Sequence, residues 1–236
     1  MAFTDADWQH LTARLNRVAS CLKAKGATVW APEFLPPIGR SQVDDFEAQT
    51  GLRFPEDLVD LVTKYTGGWK FYWNLCVETE GRWLEPPSRL ANFGGNAETH
   101  FVGASQRETL LDCYRTFQEQ IHETYLVDSG DPETLRLMPK VFPLLVCEGG
   151  GADTLVLRLD TDPAEVVYLD HEYVYEIDEE HVLGRGLGEF LRRWADVGFP
   201  ECGELDDLID APTRQIDGAS QRAQDWLRWL DDPSAT

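Results

Sequence analysis

Cations are scarce in this sequence. Its 236 residues hold 21 Lys and Arg against 42 Asp and Glu, a formal charge of −21 at pH 7. Nucleic-acid binding draws on clustered Lys and Arg that displace counterions from phosphates. Anionic lipid surfaces are recognised through the same residue types. Neither nucleic acid nor membrane is therefore an expected partner. Such a charge supports solubility. It also attracts basic proteins and speeds their encounter.

Other absences narrow the reading further. There is no run of about 18 apolar residues, so no transmembrane helix is expected. The start, "MAFTDADWQHLTARLNRV", has no charged leader followed by an apolar core, so no signal peptide is expected and the location is read as cytoplasmic. The five cysteines (Cys21, Cys76, Cys113, Cys147, Cys202) are dispersed, with no C-x-x-C spacing. That pattern points to neither a zinc site nor a disulfide framework. The phosphate-binding G-x-x-x-x-G-K-[ST], the G-x-S-x-G elbow and H-E-x-x-H are all missing. "CEGGGADT" is glycine-rich but has no lysine to reach a phosphate, and it joins two strand-like runs, so it reads as a hairpin turn. A non-enzymatic protein without a cofactor is the expectation.

Apolar residues make up 42% of the chain, with 8 Trp and 11 Phe, which is ample material for a core. Residues 4–25 carry Trp8, Leu11, Leu15, Val18 and Leu22 at helical spacing, and Gly26 ends the helix. "APEFLPPIGRS" reads as a proline-rich connection. Ser41 and Asp44 have the spacing of a capping box for a second helix, closed by Gly51. In "FPEDLVDLVTKYTGGW", Pro55 suits a helix start and Leu58, Leu61, Val62 and Tyr65 form one stripe. Gly67 and Gly68 suit its end. "WKFYWNLCVE" alternates and reads as a strand, with Phe71 and Trp73 on one face and Tyr72 on the other. Residues 79–103 read as irregular and 105–126 as a long helix.

Four close-spaced β runs follow, at 141–148, 153–160, 164–170 and 173–178. Such spacing implies an antiparallel meander. Helices are expected at 186–198 and in "SQRAQDWLRWLDD". The fold class is thus α+β, an antiparallel-rich central sheet with a β-meander, flanked by helices.

From Asp160 to Glu180 there are nine carboxylates and no Lys or Arg. Like charges at this density repel one another. They form either a solvated edge or a face for a basic partner. His171 and His181 lie among them, and His with Asp or Glu suits zinc or iron. An exposed acidic loop gives the same pattern, and no metal site is assigned.

"PPIGRSQVDDFEAQTGLRFPEDLVDLVTKYTGGW" resembles the N-terminal signature of the SUKH superfamily, the Smi/Knr-type immunity proteins. The matching elements are Glu47, Gly51, Phe54-Pro55 and Gly67-Gly68. "VFPLLVCEGGGADTLVLRLDTDPAEVVYLDHE" and "LGRGLGEFLRRWADVG" are similar to the strand-turn-strand and closing helix of that family. The resemblance covers about residues 36–197. It divides the chain into an N-terminal helical extension (1–35), a SUKH-like domain (36–198) and an acidic helical tail (199–236). It implies an α+β fold. It also implies binding and blocking of a cognate toxin, often a nuclease or deaminase, while other members are scaffold or regulatory proteins. A nucleic-acid-cleaving toxin is basic, so the expected partner contacts are Asp160, Asp170, Glu172, Glu176, Asp178, Glu179 and Glu180, with Trp69 and Tyr72 as aromatic anchors. The alternative is an intracellular scaffold that docks through the C-terminal helix bearing Trp226 and Trp229.

Overall fold

The computed structural model describes residues 2–77, 82–84, 96–101, 109–124, 136–147, 154–169, 182–200 and 205–232. Helix α1 (Asp5–Ala24) opens with a reciprocal cap between Thr4 and Asp7, and its Leu11, Leu15, Val18 and Leu22 are buried. Strand β1 (Thr28–Phe34) follows, where a connection was expected. It is an edge strand, which is where a residue such as Pro32 is tolerated, because the missing N–H faces away from the ladder.

Helix α2 (Arg40–Thr50) starts on Gly39, with no side-chain cap. The expected Ser41–Asp44 box does not form; Asp44 instead pairs with Arg40 one turn back, at 2.9 Å. Gly51 closes α2 in the left-handed conformation, φ 74°. Helix α3 (Glu56–Asp60) then widens into a π-turn, Leu61–Tyr65. Thr66, not the glycine pair, caps it in extended geometry. Gly67 serves a different need. A Cβ there would meet the Pro36 carbonyl oxygen at 2.7 Å.

Strand β2 (Trp69–Asn74) alternates buried and half-buried residues, as the sequence predicts. After it come a small hairpin of β3 (Cys76–Val77) and β4 (Arg82–Trp83), then β5 (Asn96–Phe101) in a region read as irregular. Helix α4 (Leu110–Thr124) precedes β6 (Val141–Cys147), β7 (Thr154–Arg158) and β8 (Glu165–Leu169). The next described strand is β9 (Val182–Arg185). The run expected at 173–178 lies outside the described residues. Helix α5 (Leu187–Asp196), a two-residue hairpin of β10 (Ile209–Asp210) and β11 (Gln215–Ile216), and α6 (Gln221–Asp231) complete the chain's described part.

Among the described residues, seven strands form one antiparallel sheet in the order β1-β2-β5-β6-β7-β8-β9. The fold is α+β. One face of the sheet carries the main core: Trp69, Phe71, Trp73, Phe142, Leu155, Leu157 and Val166 pack with α1, α2, α3, α5 and α6. On the other face, Val141, Val156, Val167, Leu169 and Val182 pack with Phe117 of α4 and Met138. Strands β7 and β8 are thus buried on both sides, which explains their continuous apolar runs. The main core runs from Phe3 to Leu230, so the segments set apart as extension and tail share it with the middle of the chain. Trp226 lies 5.8 Å from Trp73 and stacks on Trp229 at 5.4 Å. Lys25 sits over the Trp229 ring at 4.8 Å and donates to the Asp232 carbonyl. Burial lowers the pKa of its ammonium, with Asp232 partly opposing the shift.

The helices are tied together by polar contacts, some of them buried. Glu47, one turn before Gly51, accepts from the Phe54 amide at 3.2 Å and pairs with Arg53. Thr66 donates to the Leu35 carbonyl at 2.9 Å. The Tyr65 hydroxyl donates to Asp5 at 2.6 Å, and this bond is the main reason its pKa is pushed up to about 12. Asp57 links two helices that are far apart in the sequence. Its carboxylate accepts from its neighbour Leu58 N at 2.9 Å and from Gly188 N, in the first turn of α5, at 2.8 Å. The carboxylate meets the positive end of α5 and satisfies an amide that has no partner within its own helix.

Asp57→Ala is expected to destabilise the protein by about 1–3 kcal/mol, because buried amides lose their acceptor. Asp57→Asn keeps one acceptor oxygen and is expected to cost less. Urea unfolding measures both; an alanine variant as stable as the parent would remove this cap from the account.

Candidate functional site

The structure separates the residues that the sequence reading grouped as partner contacts. Trp69 is fully buried, 0% exposed, as are Trp73 and, at 1%, Phe71. Trp69 is therefore a core residue and offers nothing to a partner. The alternation of β2 dictates this: the side chain sits on the same face as Phe71 and Trp73, under the helices. Tyr72 points the other way and stays half-buried.

The acidic block splits as well. Asp160 is ion-paired with Lys140 at 3.3 Å and with Arg158 at 3.4 Å. Glu165 is buried and pairs with Arg158 and Arg185, each at 3.2 Å. The register explains it, since Arg158 and Arg185 both sit opposite Glu165 on neighbouring strands. Cations absent from the linear span are supplied across the sheet. Asp170, Glu172, Glu176, Asp178, Glu179 and Glu180, with His171 and His181, lie outside the described residues. Among the described residues, no group of three or more His, Cys, Asp or Glu is placed to hold a metal ion.

The C-terminal docking element of the alternative reading is also corrected. Trp226 is 0% exposed and Trp229 5%. Both rings fill the core beside Trp73, so α6 does not present them to a partner.

A cleft of about 340 Å³ opens between the start of α3 and the β7–β8 turn, lined by Arg53, Phe54, Glu56, Asp57, Asp162 and Pro163 among others. Its central carboxylate, Asp57, is already committed to the Leu58 and Gly188 amides, and Arg53 to Glu47. Two of the cleft's charged groups, Asp57 and Arg53, thus already serve the fold.

A better candidate lies on the outer face of β1 and β2. Trp30 is 63% exposed, the one exposed large apolar side chain among the residues whose burial is described. It sits directly opposite Tyr72 in the antiparallel register. The two rings lie 4.7 Å apart, tilted by 39°. Asn74 donates to the Tyr72 hydroxyl at 3.2 Å. Past the pair, β1 bulges between Trp30 and Glu33, and Glu33 then sits opposite Lys70. The bulge fits two residues, Ala31 and Pro32, against one, Phe71, and so returns Phe34 to the core side beside Trp8. Sequence reasoning passed over Trp30 because its segment looked like a connection. The usable signal was alternation: Val29 against the core, Trp30 away from it.

Comparison with models of known families, with characterised proteins and with solved structures gives no match. Among the described residues no helix is long and apolar enough to cross a membrane.

Trp73→Ala is expected to cost about 3–5 kcal/mol, the usual penalty for emptying a buried aromatic site. Trp30→Ala removes only a cross-strand ring contact and is expected to cost under about 1 kcal/mol. Thermal or urea unfolding of the two variants checks the contrast. Equal losses would mean that Trp30 is structural.

Proposed function

We propose that this chain is a non-enzymatic, cytoplasmic immunity protein of the SUKH type that binds and blocks a basic toxin domain, one that acts on nucleic acid. The observation that carries the reading is the charge of −21 on a chain with an α+β fold. A toxin that grips nucleic acid displays Lys and Arg, and an acidic protein is its electrostatic complement. The resemblance at Glu47, Gly51, Phe54-Pro55 and Gly67-Gly68 supports the same reading. In the structure these residues are scaffold. Glu47 fixes the α2–α3 turn, Gly51 closes α2, Phe54 stacks on Phe46 at 4.1 Å, and Gly67 lets the chain pass Pro36. The carboxylate-rich run from Asp170 to Glu180 is proposed to supply long-range attraction.

The expected partner is a toxin domain encoded beside this protein. The two are expected to co-purify at low salt and to separate at about 1 M salt, where the screening length falls to about 3 Å. Reversing the charges of Asp178, Glu179 and Glu180 is expected to weaken the complex. A neighbouring toxin domain that fails to bind at any salt concentration would refute the reading.

A further inference from the structure

Resting on that reading, we infer that Trp30 and Tyr72 form a rigid aromatic platform that captures an arginine side chain of a basic protein partner. Three observations meet here. The first is exposure. A tryptophan 63% open to solvent leaves a large ring face uncovered, while the other tryptophan rings whose burial is described are buried or half-buried.

The second is rigidity. The platform spans two hydrogen-bonded strands, and β2 is fixed from below by the buried Trp69, Phe71 and Trp73. The Asn74 amide holds the Tyr72 hydroxyl. Rings already in place lose little freedom on binding, which is the condition for an aromatic anchor.

The third is sign. Ring faces are electron-rich and attract cations, Arg more often than Lys, with a gain of about 0.5–2 kcal/mol that grows as water is excluded. A chain of charge −21 raises the local concentration of basic partners and repels a second copy of itself. Self-association through the β1 edge is further opposed by Pro32, the bulge and the exposed Glu33. The same chemistry is used inside the molecule, where Lys25 lies over Trp229. On this face the register sets Glu33 opposite Lys70.

The test is a titration of the full chain, labelled with nitrogen-15, with an arginine-rich peptide, and with lysine-rich and glutamate-rich peptides as comparisons. Trp30→Phe assigns the Trp30 indole resonance. That resonance is expected to shift saturably with the arginine peptide, less with lysine and not with glutamate. Trp30→Ala is expected to weaken the arginine peptide about five- to tenfold. The remaining indole resonances show that the variant is folded. Equal affinity in Trp30→Ala would overturn the proposal, because the peptide would then be held by the acidic surface at large. A Trp30 resonance that moves with protein concentration alone would overturn it in favour of a second copy. Either result leaves the toxin reading to its own co-purification test.

Discussion

One carboxylate fixes how the helical layer is assembled. Asp57 starts on α3 and ends at the first turn of α5, 131 residues further along the chain. Its burial would be costly if it were unpaired. It is tolerated because two backbone amides, one of them at a helix N-terminus, are turned towards it. Around this contact, α5 lies against α3, β8 and β9, and α1 packs on α5. Arg14 of α1 then donates to the last carbonyls of α5, at Ala195 and Asp196. Both ends of α5 are thereby capped by other elements. All of this lies on one face of the sheet.

The other face is unevenly covered. Helix α4 and Met138 shield β6 to β9, while β1 and β2 leave Trp30 open. The residues that resemble a family signature therefore belong to the closed side. They explain why the chain folds: Phe54, Gly67 and Gly68 are buried, and Glu47 and Gly51 serve the α2–α3 turn. The aromatic pair belongs to the open side. Division of labour between a packed scaffold and a small open patch is what a binding protein requires, because a rigid patch loses little entropy on association.

Much of the fold was legible in the residues. Helix α1, strand β2 with its two faces, the three runs that became β6, β7 and β8, and α6 all follow from period and punctuation. The failures have physical causes. Strand β1 looked like a connection because of Pro32, Pro36 and Pro37, yet an edge strand accommodates proline. Strand β5, "NAETHF", is polar and gives no apolar alternation. The Ser41 box failed because the N-cap is Gly39, two residues before Ser41, and Arg40 takes Asp44. The candidate site was harder to read. Trp69 and Trp226 look like anchors in sequence, but burial depends on which element lies above them. The pairing of Glu165 with Arg158 and Arg185 of neighbouring strands is invisible without register. Trp30 was hidden by the proline-rich reading of its own strand.

The central claim is that the helical side is scaffold and the outer face of β1–β2 meets the partner. Hydrogen exchange read by mass spectrometry, on the chain alone and with the basic toxin partner proposed above, tests this most directly. Binding is expected to slow exchange in peptides covering residues 28–34 and 69–74, and to leave those covering 187–196 unchanged. Protection confined to the α5 region, with β1 and β2 unaffected, would contradict the account.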